Sequence, residues 1–346
     1  MTDIRKPKVL VTHPKLEEPG LQVLRQKCEV IVCEGLPEPT REEILTKSQG
    51  VDGILWATHE PLNAEALDRA GPQLKVISTK SAGIDYVDVT EMKRRGIPLG
   101  HTRNVLNDAV ADLAIGLMVA AARRFYEGYL KIVNENWDSG DPSWMLGQDI
   151  KGSTIGIVGF GGIGQKIAHR LKGFDVGSIL YFGRKERPEG ILLDFYEREK
   201  TEINEIQIIS GKALGATLVS FDELLRQSDF IFVACPLTNE TKNLFNKSVF
   251  EKMKPSSVFI NVARGGIVAQ NDLIDALKNG TIFAAGLDVM VPEPLPANDE
   301  LIKLPNCVIV PHLGSATIKT RENMAILSAQ NVINGIEGKP LIYSAY

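Results

Sequence analysis

The sequence has few cysteines, no long apolar run and no strong excess of either charge. Its four cysteines show no zinc-type spacing, so we expect no metal site, and a reducing compartment fits best. The longest apolar block, residues 113–122, lies between Asp112 and Arg123 and is too short to span a bilayer, which predicts a buried helix. A net charge of −4 gives no electrostatic reason to expect a nucleic-acid or membrane partner. The amino-terminal segment lacks the apolar stretch of a secretory signal, which favours a soluble, cytoplasmic protein.

Short β-branched runs alternate with helix-period stretches along almost the whole chain. The first group of predicted strands is residues 8–13, 51–57, 74–80 and 97–102, and helical patterns at 41–48 and 63–69 lie between them. After a long apolar helix at residues 108–124, the alternation resumes through STIGIVGFG, ILYFG, DFIFVAC, SVFINVA, AAGLDV and CVIVPH. Continuous apolar strands separated by helices predict parallel sheets covered on both faces. Because 346 residues exceed what one core usually fills, the sequence predicts two α/β domains.

The stretch STIGIVGFGGIGQKIAHRL carries a glycine motif directly after an apolar strand and at the start of an amphipathic helix. Gly159 permits a tight turn, Gly161 lets the backbone approach a pyrophosphate, and Gly164 allows the helix to pack closely on the strand. The amino terminus of the helix then faces the anion. This context favours dinucleotide binding; the alternative is a glycine-rich turn without a ligand.

The next apolar strand ends in Gly183, about twenty residues beyond the glycines, where a dinucleotide fold meets the adenosine ribose. An Asp or Glu there would accept a hydrogen bond from the ribose 2′-hydroxyl and repel a 2′-phosphate. Here Arg184, Lys185 and Arg187 follow instead. Charge-assisted hydrogen bonds contribute roughly 1.5–3 kcal/mol each, so two of them would favour a 2′-phosphate by about a hundredfold or more. The pattern predicts NADP(H) in preference to NAD(H); a solvated basic turn is the alternative.

Three further segments, INVARGGIV, GLDVMVPEPLP and VIVPHLGSAT, each place a polar residue just after an apolar strand, at the edge where open α/β sheets bind ligands. Arg264 offers a guanidinium fork that matches a carboxylate, and His312 is suited to proton transfer near neutral pH. Glu293 would pair with His312 and keep its imidazolium populated. Each residue alone has an ordinary explanation, and other histidines also end strands, namely His13, His59 and His101. The arginine, acid and histidine together predict a catalytic set.

With these motifs the sequence resembles the D-2-hydroxyacid dehydrogenase family over nearly its whole length. The resemblance rests on GFGGIG, VARGGIV, GLDV with PEPLP, and PHLGSAT. It implies two Rossmann- or flavodoxin-like, doubly wound parallel-sheet domains with the active site in the interdomain cleft. Residues 1–106 and 318–346, with a final helix around 321–338, would form the substrate-binding lobe, and residues 107–317 would form the NADP-binding domain. The family resemblance also implies a homodimer formed through the cofactor domain.

The same resemblance implies roles for individual residues. Arg264 would bind the substrate carboxylate, His312 would act as acid/base, and Glu293 would be the partner of the histidine. The backbone amides of Ala82 and Gly83 would also hold the carboxylate, and the small Ala82 would leave that wall of the pocket more open. Asp288 would fix the nicotinamide carboxamide. The other implied site residues are Ser315 for the substrate and, for the cofactor, Gly162, Ile163, Gly164, Arg184, Lys185, Arg187, Pro236, Val262 and Gly314.

Within the family, the basic strand end and PEPLP most resemble members that reduce glyoxylate and hydroxypyruvate. The implied reaction is the NADPH-dependent reduction of glyoxylate to glycolate and of hydroxypyruvate to D-glycerate. D-3-Phosphoglycerate dehydrogenase activity is an alternative of the same chemistry, and an NAD(P)-sensing transcriptional corepressor on the same fold is an alternative of another class. Two features stay open: residues 191–210 would shield the adenosine or protrude, and Trp144 would reach the partner subunit's site or lie on the surface.

Overall fold

The computed structural model describes residues 5–138, 140–184 and 214–346. They form two compact units: the first comprises the chain up to Leu106 together with Ser315–Tyr346, and the second extends from Asn107 to Gly314. Lys185, Arg187 and residues 191–210, for which the sequence leaves open shielding of the adenosine or protrusion, lie outside the described residues. Among the helices of the described part, none combines the length and apolar character needed to cross a membrane.

The first unit is built on a five-stranded parallel sheet with the order β2-β1-β3-β4-β5. Its strands are β1 Lys8–Val11, β2 Glu29–Val32, β3 Gly53–Trp56, β4 Val76–Thr79 and β5 Leu99–Gly100. The helices that connect them are α1 Glu18–Lys27, α2 Arg41–Lys47, α3 Ala64–Ala70 and α4 Val89–Arg95. This strand order is the flavodoxin-like one, in which ligands approach the carboxyl ends of the strands.

Successive residues of β1 pack on opposite faces of this sheet. Leu10 lies in a core that also contains Trp56, whereas Val9 and Val11 lie in a second core with Leu24. The period of two along a strand therefore places apolar side chains against helices on both sides. This explains why the strand reads as an unbroken apolar run rather than as an alternating one.

The second unit contains a seven-stranded parallel sheet with the order β12-β11-β10-β9-β6-β7-β8. Its strands are β6 Thr154–Val158, β7 Ser178–Phe182, β8 Ala216–Leu218, β9 Phe230–Val233, β10 Val258–Asn261, β11 Ala284–Leu287 and β12 Cys307–Ile309. Its helices are α5 Asn107–Ala122, α6 Phe125–Val133, α7 Gly162–Leu171, α8 Phe221–Gln227, α9 Lys247–Phe250, α10 Gln270–Lys278 and α11 Glu300–Lys303. The direction of strand addition reverses between β6 and β9, which is the switch point at which such sheets bind ligands.

The last helix, α12 Ile318–Ile336, returns to the first unit and packs on its sheet. It begins earlier than the predicted residue 321 because the Thr317 side chain caps it, accepting a hydrogen bond from the Thr320 amide at 3.2 Å. Inside the helix, the Ser328 hydroxyl donates to the Thr79 carbonyl at 3.1 Å. The return helix is therefore tied to the end of β4.

The fold class predicted from the sequence is confirmed, since two parallel α/β sheets are present. Two strands that the sequence reasoning did not name, β2 and β8, are both edge strands of their sheets. Their side chains are partly exposed, so they lack the continuous apolar signal of the central strands. The predicted helix at 108–124 is α5, which stops at Ala122 because Arg124 adopts a left-handed conformation with φ of 56° before α6 starts.

Candidate active site in the second unit

The glycine-rich turn between β6 and α7 is fixed by the packing of the chain itself. Gly159 has φ of 97°, and a Cβ there would lie 2.5 Å from the Cys235 backbone nitrogen. A Cβ on Gly164 would lie 2.3 Å from the Gly159 carbonyl oxygen. The Gly159 amide donates to the Phe182 carbonyl at 2.9 Å, which joins the turn to the end of β7. At these two positions only glycine fits, whatever binds at the turn.

Gly161 is different, because the fold itself does not require a glycine at this position. Its φ is −85°, and a Cβ would meet nothing within 4 Å. It precedes α7 without a side-chain cap, so the first N–H groups of the helix, at Gly162, Ile163 and Gly164, point outward at the positive end of the helix dipole. Open space above an uncapped helix end fits a bound pyrophosphate. These residues could therefore hold the diphosphate of a dinucleotide.

The end of β7 has the features expected for an adenosine-ribose site. Gly183 has room for a side chain, since an added Cβ would meet nothing within 4 Å. Arg184 is exposed. The hydrogen bond from Thr238 lowers the pKa of Glu240 most, and the charge of Arg184 adds to that lowering. The positive field of Arg184 therefore reaches the loop that follows β9.

Arg264 is presented by a turn that Asn261 holds in shape. The Asn261 side chain is buried; its Nδ2 donates to the Arg264 carbonyl at 3.0 Å, and its Oδ1 accepts from the Ala263 amide at 3.0 Å. A Cβ on Gly265 would lie 2.1 Å from the Met290 carbonyl oxygen, so this turn abuts the loop that follows β11. Sequence reasoning missed Asn261, although an amide at the end of an apolar strand was a readable signal.

Glu293 and His312 form a hydrogen-bonded pair. His312 Nδ1 lies 2.7 Å from Glu293 Oε2, and Glu293 Oε1 accepts from the Met290 amide at 3.0 Å. Burial by itself would raise the pKa of Glu293, but hydrogen bonds from His312 and Met290, with the positive charges of His312 and Arg264, outweigh burial and lower it. Because Nδ1 is engaged by the carboxylate, Nε2 is the ring nitrogen that would exchange a proton with a substrate.

Asp288 organises the turn that carries His312. Its buried carboxylate accepts from the Leu313 amide at 2.5 Å and from the Gly314 amide at 2.9 Å. Its carbonyl accepts from the His312 amide at 2.9 Å. Burial is the largest influence on the Asp288 carboxyl and raises its pKa, although both amide bonds oppose that shift. The sequence reasoning assigned Asp288 to the nicotinamide and missed this second task of holding the histidine turn.

The remaining implied residues divide between the two units. Pro236 and the buried Val262 follow β9 and β10, so they lie at the same sheet edge as Asp288 and His312. The second unit therefore places Arg264, Glu293 and His312 after the adjacent strands β10, β11 and β12, at the same sheet edge as the glycine-rich turn after β6. Ala82 and Gly83 follow β4 in the first unit, and Ser315 is the first residue of its returning segment.

Comparisons with known proteins agree on a family. Residues 115–314 match the model of the D-isomer specific 2-hydroxyacid dehydrogenase, NAD binding domain. The chain is 43% identical over 342 residues to glyoxylate reductase/hydroxypyruvate reductase of Homo sapiens, covering 99% of this chain and 98% of that one. It is 40% identical to glyoxylate reductase of Thermococcus onnurineus, covering 95% of this chain and 92% of the relative.

Solved structures show the same likeness. A glyoxylate reductase from Paecilomyes thermophila has a TM-score of 0.82 at 28% identity, with 98% of each chain covered. An NADPH-dependent glyoxylate/hydroxypyruvate reductase from Sinorhizobium meliloti, solved in complex with NADP and malonate, has a TM-score of 0.79 at 29% identity, covering 98% of this chain and 97% of that one. The shared architecture thus extends over both units of the chain.

Proposed function

Since this chain belongs to the D-2-hydroxyacid dehydrogenase family, a family of nicotinamide-dependent oxidoreductases, we propose that it reduces glyoxylate to glycolate and hydroxypyruvate to D-glycerate, with NADPH preferred over NADH. The observation that carries the proposal is the set formed by Arg264, Glu293 and His312 after β10, β11 and β12, at the sheet edge that also carries the glycine-rich turn. The names of the relatives supply the substrates.

In the proposed reaction, different side chains bind the substrate and transfer the proton. A bound nicotinamide cofactor would supply the hydride to the keto carbon. Arg264 binds the substrate carboxylate through its guanidinium fork and so orients the carbonyl. His312, protonated, donates its Nε2 proton to the carbonyl oxygen as that oxygen becomes an alkoxide, which completes the 2-hydroxy acid. Glu293 holds the ring by its Nδ1, which leaves Nε2 for the substrate.

We assign cofactor binding to the second unit and further substrate contacts to the first. The second unit would bind the cofactor, through the uncapped start of α7 and the end of β7. The first unit would contribute the amides of Ala82 and Gly83 to the substrate carboxylate, and Ser315 to the substrate. Pro236, Val262 and Gly314 would line the nicotinamide side, and Asp288 would bind its carboxamide.

The preference for NADPH is supported by two features at the end of β7: a glycine in place of a carboxylate, and an arginine directly after it. Gly183 stands where a carboxylate would select the ribose 2′-hydroxyl, and Arg184 follows it. A guanidinium binds a phosphate group through charge-assisted hydrogen bonds. The relative from Sinorhizobium meliloti is an NADPH-dependent glyoxylate/hydroxypyruvate reductase.

A homodimer through the second unit is supported by an exposed apolar face on α6. Phe125, Tyr129 and Ile132 are spaced along one side of this helix and are 59%, 61% and 57% exposed. Trp137 and Leu146, in the following loop, are exposed as well. Contiguous apolar surface of this kind marks an interface in soluble proteins. Sedimentation of the purified protein would give a dimer mass; replacing Tyr129 and Ile132 with Asp would give a monomer.

A cytoplasmic location is also proposed. Cys28, Cys33, Cys235 and Cys307 are all free thiols, and burial is the largest influence that raises the pKa of each. Unpaired, protonated thiols are compatible with a reducing compartment.

An initial-rate panel tests the reaction directly. Glyoxylate, hydroxypyruvate, pyruvate and 3-phosphohydroxypyruvate are each assayed with NADH and with NADPH. We expect the highest kcat/KM for glyoxylate or hydroxypyruvate with NADPH. A preference for 3-phosphohydroxypyruvate would favour the phosphoglycerate alternative, and no turnover of any keto acid would refute the proposal. In His312→Gln, kcat should fall by about 10²–10⁴; survival within about tenfold would show that the proton donor is misassigned.

A further inference from the structure

The loop that follows β4 in the first unit has three consecutive carbonyl groups, each of which accepts a hydrogen bond. The Ser81 carbonyl accepts from the Thr102 amide at 2.9 Å. The Ala82 carbonyl lies 3.3 Å from His101 Nδ1, and the Gly83 carbonyl accepts from the Ser81 hydroxyl at 2.7 Å. The chain thus fixes every carbonyl of the segment that the proposed function places at the substrate carboxylate.

The chemistry of these partners determines the direction of each bond. Burial is the largest influence on His101 and lowers its pKa, so the ring is neutral near pH 7. A neutral ring can face a carbonyl only with its protonated nitrogen, hence Nδ1 donates to Ala82. The Ser81 hydroxyl has one proton, which it donates to the Gly83 carbonyl. In the 2.7 Å contact between the Tyr86 and Ser81 hydroxyls, Tyr86 is therefore the donor and Ser81 Oγ the acceptor.

Because a peptide unit is planar and trans, fixing a carbonyl also fixes the N–H of the next residue in the opposite direction. By holding the Ser81 carbonyl, the Thr102 amide therefore fixes the direction of the Ala82 N–H. By holding the Ala82 carbonyl, His101 fixes the direction of the Gly83 N–H. Among the described residues of the first unit, neither of these two N–H groups donates a hydrogen bond. Successive amides that point to one side form an anion-binding concavity.

We propose that His101 is a positioning residue for substrate recognition: it holds the Ala82 carbonyl so that the Gly83 amide is aimed at the substrate carboxylate, and the Tyr86–Ser81 pair locks the following peptide. This proposal rests on the proposed function, since that function supplies the carboxylate. His101 itself does not touch the substrate. Its contribution is expected in the affinity for keto acids and not in the chemical step.

The test compares His101→Leu, which removes the donor, with His101→Asn, whose side-chain amide can replace the Nδ1 donor. In His101→Leu we expect the KM for glyoxylate and the inhibition constant of oxalate, an unreactive dicarboxylate, to rise about tenfold, because one anion-binding amide is lost. The value of kcat should stay within about twofold, and the KM for NADPH should not change, because the chemistry and the cofactor contacts are untouched. His101→Asn should recover most of the loss, and Tyr86→Phe should show a smaller rise of the same kind.

Ser48→Ala is the matched control. The buried Ser48 hydroxyl donates to the Leu45 carbonyl at the carboxyl end of α2. That helix end lies at the amino ends of the strands, at the opposite edge of the sheet from the loop that follows β4. This variant should lose stability without any change in KM. The proposal is overturned if His101→Leu lowers kcat with KM unchanged, if KM for NADPH rises equally, or if His101→Asn behaves like His101→Leu.

Binding measured without turnover separates this proposal from the proposed function. Oxalate affinity of the NADPH-bound protein is determined by calorimetry for wild type and both His101 variants. If no keto acid is reduced but His101→Leu weakens oxalate binding and His101→Asn restores it, the positioning role stands while the proposed reaction fails. If wild type reduces glyoxylate and oxalate affinity is the same in all three proteins, the positioning role fails while the reaction stands.

Discussion

Glu293 Oε2 lies 2.7 Å from His312 Nδ1, and the other carboxylate oxygen of Glu293 is held by the backbone of its own loop. The acid therefore reaches the histidine from a fixed position and not from a mobile side chain. This geometry presents the opposite ring nitrogen for proton transfer.

Replacing Glu293 with Gln should change both the activity and the acid stability of the protein. The neutral amide cannot stabilise a protonated His312, so kcat/KM at pH 7 should fall by about 10²-fold. The pKa of Glu293 is lowered in the folded state from 4.5, so the stability that it contributes is present above pH 4.5 and is lost as the pH falls below that value. Urea unfolding at several pH values measures this difference. A stability difference between wild type and Glu293→Gln that grows on acidification would contradict the assignment.

Asp288→Asn should damage the histidine turn. The amide nitrogen of Asn would face one of the two N–H groups that the carboxylate accepts, from Leu313 or Gly314. Leaving a buried donor unpaired is expected to lower the free energy of unfolding by about 1–3 kcal/mol, and kcat should fall with it because His312 is displaced.

The control for Asp288→Asn is Asp229→Asn. Asp229 also accepts a backbone bond, from the Thr154 amide at 2.8 Å, but at the start of β6 and β9 and therefore at the opposite edge of the sheet. The Asp229→Asn variant should have a lower free energy of unfolding and an unchanged kcat. Equal losses of kcat in the two variants would show that Asp288 acts only through global stability.

The glycines of the turn after β6 should separate into a structural and a ligand-binding class. Gly159→Ala forces a side chain into a conformation with φ of 97° and against Cys235, so the free energy of unfolding should fall by more than about 1–2 kcal/mol. Gly161→Ala meets no obstacle in the chain, so its thermal midpoint should equal that of wild type while the KM for the cofactor rises about tenfold or more. Thermal unfolding and cofactor titration of the two variants distinguish the structural from the ligand-binding glycine. Wild-type cofactor affinity in Gly161→Ala would place the pyrophosphate elsewhere.

Gly183→Asp should reverse the cofactor preference. The structure has room for the new side chain, so folding should be unaffected, and the carboxylate would bind a ribose 2′-hydroxyl while repelling a 2′-phosphate. We expect the ratio of kcat/KM for NADPH to that for NADH to fall about a hundredfold, and Arg184→Ala to lower it by about tenfold. Arg226→Ala, at another exposed arginine of the second unit, is the control. An unchanged ratio in Gly183→Asp would show that β7 does not end at the ribose.

The fold class and the family of this protein could be predicted from local sequence patterns. The apolar runs of the central strands, the glycines after β6 and the polar residues after β10, β11 and β12 identified two parallel sheets and the family, and the structure and comparisons confirm both. The placement of Arg264, Glu293 and His312 at one edge of the sheet follows from the rule that parallel strands collect their carboxyl ends there, and their roles remain proposals. The preference for NADPH and the homodimer remain proposals.

What the sequence by itself determined is therefore the order of elements and the chemistry at the strand ends, because periodicity and motif spacing depend only on near neighbours. The tertiary structure decided the rest, because its bonds join residues far apart in the chain. Asp288 holds the His312 turn across 25 residues, and His101 reaches the Ala82 carbonyl across 19. The edge strands β2 and β8 likewise exist by pairing with strands already formed, as does the small sheet contact between Gly100 and Ser344. Such partners are chosen by packing and hydrogen-bond satisfaction over the whole fold, for which no local pattern is a signal.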